Sequence, residues 1–264
     1  MFKIRSVPMN TCSDSLNPNE TYGYLYYSNS LRYVEPVPYD RNISDTCYDE
    51  PMDSLKPYIA RNFSDTAISP YDPSIDVANL HNQTVGLTQF TTAQRYFRWT
   101  LNNTSTRVWW QRPTLRQIIA NPDVEWGVPI DGVVETPNKD EWINLFIDNH
   151  LQVDHPIHLH GHDFYILAQG VGPWNGTVAT QNPPRRDTAL LLGGGHLVIR
   201  WKTDNPGTWL MHCHIGWHTE EGFVLQFIER QKEITPLIDQ RTLNDTCDTW
   251  VASKIIQAED DSGI

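Results

Sequence analysis

The stretch His212-Cys213-His214-Ile215-Gly216-Trp217-His218 answers an earlier one, His155-Pro156-Ile157-His158-Leu159-His160-Gly161-His162. Seven of the ten histidines of the 264-residue chain fall in these 15 positions, around a single cysteine. Neutral imidazole and thiolate are the nitrogen and sulfur donors that copper and zinc prefer, so the pattern points to metal chemistry. Side chains of a strand alternate between faces. A strand through residues 212–214 therefore aims the two imidazoles one way and the Cys213 thiol the other, while His158 and His160 share a face. One strand end then serves two sites. His218 returns to the Cys213 side after a short turn, and His155, ahead of Pro156, is expected to lie outside the strand alternation and to join them. Two histidines and one thiolate make the donor set of a blue-copper electron-transfer centre. Structural zinc sites draw on cysteine pairs, or on a cysteine pair with a histidine pair, and a lone cysteine among many histidines does not fit.

Outward from these segments the chain reads as β structure. Strand-like runs appear at Tyr96–Leu101, Arg107–Trp110, Glu141–Ile147, Asp163–Leu167, His196–Trp201, Gly207–Met211 and Gly222–Ile228. Gly, Pro and Asn punctuate them, the signature of a β-sandwich or barrel. A short helix is expected over Pro113–Ala120. Residues 1–34 read as two closing strands of a domain begun upstream, since two strands alone cannot bury a core. Residues 35–75, rich in Pro, Asp, Ser and Tyr, read as a linker, and residues 76–264 as the domain that holds the metal motif.

Composition narrows the function. A net charge of −12 leaves no basic stripe to neutralise phosphates, which argues against a nucleic-acid partner. No apolar run reaches bilayer-spanning length, so no membrane partner is expected. The start, MFKIRSVPMN, lacks a signal-peptide core, yet eight Asn-X-Ser/Thr sequons occur, at Asn19, Asn42, Asn62, Asn82, Asn102, Asn103, Asn175 and Asn244. The two observations are reconciled if the chain is the C-terminal part of a longer secreted glycoprotein. Of four cysteines, Cys213 belongs to the metal motif; Cys12 and Cys47, which flank a polar segment, are expected to pair, leaving Cys247 without a partner.

The segments HPIHLHGHDF and HCHIGWHTEEGF together resemble the two C-terminal copper signatures of the multicopper oxidases. Arg185-Arg186-Asp187-Thr188 and Thr203-Asp204-Asn205-Pro206-Gly207-Thr208-Trp209 between them resemble ascomycete fungal laccases, and the likeness runs over most of residues 85–230. The resemblance implies an all-β, cupredoxin-like Greek-key sandwich or barrel, a third domain preceded by the last strands of a second. It implies His155, Cys213 and His218 as type 1 copper ligands, His158 as a type 2 ligand, and His160, His212 and His214 as type 3 ligands. Phe223, ten residues after Cys213, takes the axial position, where a hydrocarbon cannot coordinate and so favours Cu(I). His162 is expected to orient its neighbours, with His81, His150 and His196 structural or at the surface.

The family's chemistry is one-electron oxidation of phenols or aromatic amines, with electrons passing from Cys213 to His212 and His214 and four of them reducing O2 to water. The family's trinuclear cluster takes four His-X-His pairs, and this chain supplies two. The resemblance therefore implies the end of a three-domain enzyme whose N-terminal domains complete the cluster, and which alone is inactive toward O2. It also implies a first-domain cysteine as the partner of Cys247, and a channel-plugging role for the C-terminal Asp261-Ser262-Gly263-Ile264. A ferroxidase or bilirubin-oxidising relative, a mononuclear blue-copper carrier and a metal-free glycoprotein are the competing expectations. A ferroxidase would use carboxylates near the type 1 histidines, for which Asp154, Glu220 and Glu221 are close in sequence.

Overall fold

The computed structural model describes residues 2–9, 11, 16, 19, 21–26, 46, 49–64, 79–89 (backbone only), 97–101, 105–126 and 132–255. The Cys12–Cys47 pairing and the C-terminal tail fall outside the described residues. The chain divides into two compact units, residues 1–49 and 50–264. In the first, β1 (Phe2–Ser6) and β2 (Thr21–Leu25) form an antiparallel hairpin whose side chains are nearly all exposed.

The second unit carries two sheets. Its strands in chain order are β3 (Asn79–Gln89), β4 (Phe97–Leu101), β5 (Val133–Thr136), β6 (Trp142–Asn149), β7 (His155–Leu159), β8 (Phe164–Val171), β9 (Arg185–Arg186), β10 (Thr188–Leu191), β11 (Gly195–Lys202), β12 (Gly207–Cys213) and β13 (Val224–Glu229). The six-stranded sheet runs β4-β3-β6-β11-β8-β9 and the five-stranded sheet β10-β7-β12-β13-β5. From β6 onward the chain passes repeatedly between the sheets, which is what winds the cupredoxin-like sandwich expected from the sequence.

Alternation explains the core. Ile143, Leu145 and Ile147 of β6 and Leu197, Ile199 and Trp201 of β11 face inward from one sheet. Ile157 and Leu159 of β7, Met211 and Cys213 of β12 and Leu225 and Phe227 of β13 meet them from the other. The thiol of the metal motif thus belongs to the periodic core face, between side chains that fix its height in the sandwich. Both outer faces are covered. Phe63, Phe146, Leu167 and Val198 cluster outside the six-stranded sheet; Ile118 of helix α1 (Thr114–Ala120) joins Ile228 and Ile234 outside the other. Helix α2 (Gly216–Glu220) follows β12 directly.

The secondary structure differs from the sequence reading at two points. Arg107–Trp110 is not a strand: it is a loop closed by the Arg112 N–H donating to the Trp109 carbonyl, 3.0 Å. Its tryptophans are held by rings instead of by a ladder, with the Arg107 guanidinium 4.2 Å from the Trp109 ring and Trp110 edge-on to Trp250 at 5.1 Å. The second is α3 (Gln240–Ser253), a helix no sequence expectation covered. Its start is marked by Asp239, whose carboxylate accepts the Arg241 and Thr242 N–H groups, the usual capping of unpaired helix donors.

Truncating the fully buried Leu145 to Ala is expected to cost about 2–5 kcal/mol, from lost burial plus the cavity left behind. Val251→Ala, on the exposed side of α3, should stay within about 0.5 kcal/mol. Urea unfolding midpoints compare the two directly, and similar losses would contradict the placement of the core.

Candidate metal centre

Cross-strand register builds the centre. In the β12–β7 ladder Cys213 faces Ile157 and His212 faces His158, while Thr188 of β10 lies beside His158 on the other edge. Opposite residues of a ladder share a face. The Cys213–Ile157 rung therefore points into the core, and the His212–His158 rung points out.

On the core side, Cys213 Sγ lies 3.7 Å from His155 Nδ1 and 3.6 Å from His218 Nδ1, and the two nitrogens are 3.3 Å apart. All three residues are buried, and among the described residues they form a cluster whose ligand atoms could hold a metal ion. An ion at the centre of that triangle lies about 2 Å from each corner, the range of metal–imidazole and metal–thiolate bonds. His155 is not outside the strand alternation, as its place before Pro156 led us to expect. It is the first residue of β7, whose burial alternates, and shares the inward face of Ile157 and Leu159. The Pro156 carbonyl accepts the His214 N–H at 2.6 Å, so the proline still pairs with β12 through its acceptor. His218 returns to the thiol on the single turn of α2, as expected.

Phe223 is fully buried, with its ring centroid 4.8 Å from that of His155. Its carbonyl accepts the Cys213 N–H at 3.1 Å and its N–H donates to the His218 carbonyl at 2.8 Å, so its backbone ties two corners of the triangle together.

On the outward side, His158, His160, His212 and His214 gather with ring centroids 5.0–5.9 Å apart. His158 Nδ1–H donates to the Asp187 carbonyl at 2.7 Å and His212 Nδ1–H to the Cys213 carbonyl at 2.8 Å, which leaves Nε2 of each as the lone-pair nitrogen. His160 Nε2 is 3.0 Å from His212 Nε2. His162 touches the His160 carbonyl through Nδ1 (3.2 Å) and the buried Glu229 carboxylate through Nε2 (2.9 Å), consistent with an orienting role. His196 donates to the Gly172 carbonyl at 2.8 Å, and His150 is exposed after β6. The sequence reading missed Asp187, Thr188 and Thr219; the Thr219 hydroxyl donates to the Cys213 carbonyl and lies 3.1 Å from His212 Nδ1. Only Asp187 and Thr188 carried a signal, through the Arg-Arg-Asp-Thr motif.

Burial dominates the electrostatics. It pushes His155 down to about 3, with the His218 charge adding to it, and lowers His218 as well. His160 and His212 are lowered by burial and then by the neighbouring imidazoles, with the bond to the Cys213 carbonyl partly opposing this in His212. The Cys213 thiol is pushed up to about 12 by burial. Burial thus favours neutral imidazoles at His155 and His218, as ligands must be, and the thiol needs a cation to ionise.

A sequence model of the family described as "Multicopper oxidase" matches residues 107–233. Laccase-1 of Botryotinia fuckeliana is 38% identical over 99% of this chain and 45% of its own length; Laccase-2 of the same fungus is 36% identical over 96% and 43%. The crystal structure of the laccase from Botrytis aclada superimposes with a TM-score of 0.68 at 36% identity, over 97% of this chain and 46% of that one. A sandwich with this donor set defines a copper protein of the cupredoxin class. The chain belongs to the multicopper oxidase family, is similar to its fungal laccases, and has copper as the cofactor that membership implies. It spans a little under half the length of the curated relatives it matches.

His155 generates a pH dependence whose sign is fixed. Its folded-state value lies below the 6.5 of an unfolded histidine, so its contribution is complete above pH 6.5 and is lost as pH falls toward 3. The metal-free chain should lose up to about 1.4 kcal/mol per pH unit from this residue within that window. Melting temperatures of the wild type and His155→Leu between pH 7 and 4 test this; equal slopes would refute it.

Proposed function

We propose that this chain carries the electron-accepting copper site and half of the oxygen-reducing cluster of a laccase-type oxidase. The observation that carries the reading is the pairing of a buried His155–Cys213–His218 triangle with four imidazoles on the opposite face of the same two strands. His155, Cys213 and His218 would hold a type 1 copper, His158 a type 2 copper, and His160, His212 and His214 type 3 coppers. Copper at these sites, with the cluster completed by the rest of the enzyme, would supply one-electron oxidation of phenols or aromatic amines and four-electron reduction of O2 to water.

The protein's own contribution is positional. Cys213 is covalently continuous with His212 and His214, so the shortest route between the two sites is a stretch of backbone. The contact of His212 Nδ1 with the Cys213 carbonyl shortens that route further. Phe223, fully buried beside the His155 ring, would offer a bound copper no fourth donor, which would favour the reduced ion. Two further His-X-His pairs are needed for a complete cluster, and we assign them to cupredoxin domains outside these residues, with Cys247 as the attachment point for a disulfide. On this reading the chain alone binds copper without reducing O2. The sequons, with no helix among the described residues long and apolar enough to cross a membrane, accord with a secreted glycoprotein.

Two of the three carboxylates a ferroxidase would use are engaged elsewhere. Glu221 is buried 3.8 Å from the Arg98 guanidinium, and Asp154 accepts the Gly193 N–H at 2.7 Å. A mononuclear carrier leaves the four outward imidazoles without purpose.

Copper(II) titrated into the chain is expected to give an intense visible thiolate-to-copper band that saturates at about one equivalent. Because the imidazoles are already neutral, binding should release about one proton, from Cys213, measurable by calorimetry in buffers of different ionisation enthalpy. Cys213→Ser should abolish the band; its absence in the wild type, or its survival in the variant, would overturn the assignment.

A further inference from the structure

The segment that carries His218 has little rigidity of its own. Helix α2 has only five residues and no side-chain cap, and Trp217 beside the histidine is 60% exposed. A helix this short is unstable alone, yet His218 must be held to tenths of an ångström. The restraint comes from β4, across the sandwich.

Arg98 and Trp99 are consecutive on β4 and point to opposite faces. Inward, Trp99 is 1% exposed and packs on every ring of the core-side site: 4.4 Å between centroids to His218 at 39°, 4.8 Å to His155 at 80° and 6.0 Å to Phe223 at 30°. Its indole N–H is buried with no hydrogen-bond partner among the described residues. Outward, the Arg98 guanidinium pairs with Glu221 at 3.8 Å, both side chains under a tenth exposed. Arg98 also donates to the Ser105 hydroxyl (2.9 Å) and the Thr106 carbonyl (3.2 Å). Between the two side chains, the Trp99 N–H donates to the Glu221 carbonyl at 2.9 Å. Gly222, at φ +108°, lets the turn press against the strand: a Cβ there would meet the Ser105 hydroxyl and lie 2.8 Å from the Trp99 carbonyl.

We infer that Trp99 and the buried Arg98–Glu221 pair form a positioning device that sets the orientation of His218, and through the Trp99 ring that of His155, toward the metal. Trp99 contacts both imidazoles from one side and fixes their ring planes. The ion pair and the Trp99–Glu221 hydrogen bond hold residues 221–223, the turn between His218 and Phe223. Residues that orient metal ligands in this way typically alter metal affinity 10–100-fold when changed.

The inference rests on the copper assignment above, and the wild-type band separates the two: if the wild type lacks it, that assignment fails. With the band present, the full chain is compared as wild type, Trp99→Phe, Trp99→Leu and Arg98→Met, with Leu197→Val as a core control. Trp99→Leu is expected to weaken copper(II) binding at least roughly 10-fold and to shift both the charge-transfer band and the reduction potential. Trp99→Phe should restore affinity partly while leaving the band displaced, and Arg98→Met should displace it in the same direction. Leu197→Val should lower the melting temperature without moving the band. If Trp99→Leu does not fold, the band of Trp99→Phe decides alone. An unchanged band, potential and affinity in the Trp99 and Arg98 variants would overturn the inference, as would an equal displacement in Leu197→Val.

Discussion

The structure depends on one rung of one ladder: Cys213 opposite Ile157, with His212 opposite His158 on the rung before it. Because side chains alternate with a period of two, a slip of one residue would send the thiol to the outward face and the imidazoles into the core. The register is held from both sides. Met211, Ile157 and Leu159 lock the inward face by burial, and the Pro156 and Leu210 carbonyls continue the pairing past the rung by accepting the His214 and His160 N–H groups. The same hydrophobic alternation that folds the sandwich therefore sorts the ligands between two sites.

That sorting has an electrostatic consequence. The core-side site is dry, so its thiol resists ionisation and its imidazoles resist protonation. Without a metal the three groups sit together uncharged, which lets a low-dielectric core contain them. A cation reverses the balance for the thiol, because the ion then supplies the partner that water cannot. The outward cluster is partly exposed, and two of its imidazoles, His158 and His212, are each held by a main-chain carbonyl and a threonine hydroxyl. One site is built by burial, the other by hydrogen bonds to the sheet that supports it.

How much of this was legible depends on range. The strands around residues 155–162 and 207–228, and the split of Cys213 from His212 between two faces, followed from alternation, because it is a property of a few neighbouring residues. The Arg107–Trp110 run deceived for the same reason: a pattern of large apolar residues reads as a strand, but whether it finds a ladder partner is decided elsewhere. The α3 cap at Asp239 was readable and passed over. The roles of Trp99, Glu221 and Thr219 were not readable, since each acts on a ligand through space or on a carbonyl that any sequence provides.

The sequence by itself determined the chemistry and the sheet: which donors are present, which share a strand face, and that one cysteine lies between two imidazoles. Those follow from side-chain identity and the geometry of an extended chain, which no later packing changes. The tertiary structure alone decided that His155 meets Cys213 and His218 in one triangle, that the Cys213–Ile157 register holds it there, and that Arg98 and Trp99 grip the turn carrying His218. Apart from Cys213 and His218, five positions apart, these relations join residues separated by 56 to more than 100 positions, distances bridged only by strand pairing and by the packing of two sheets face to face.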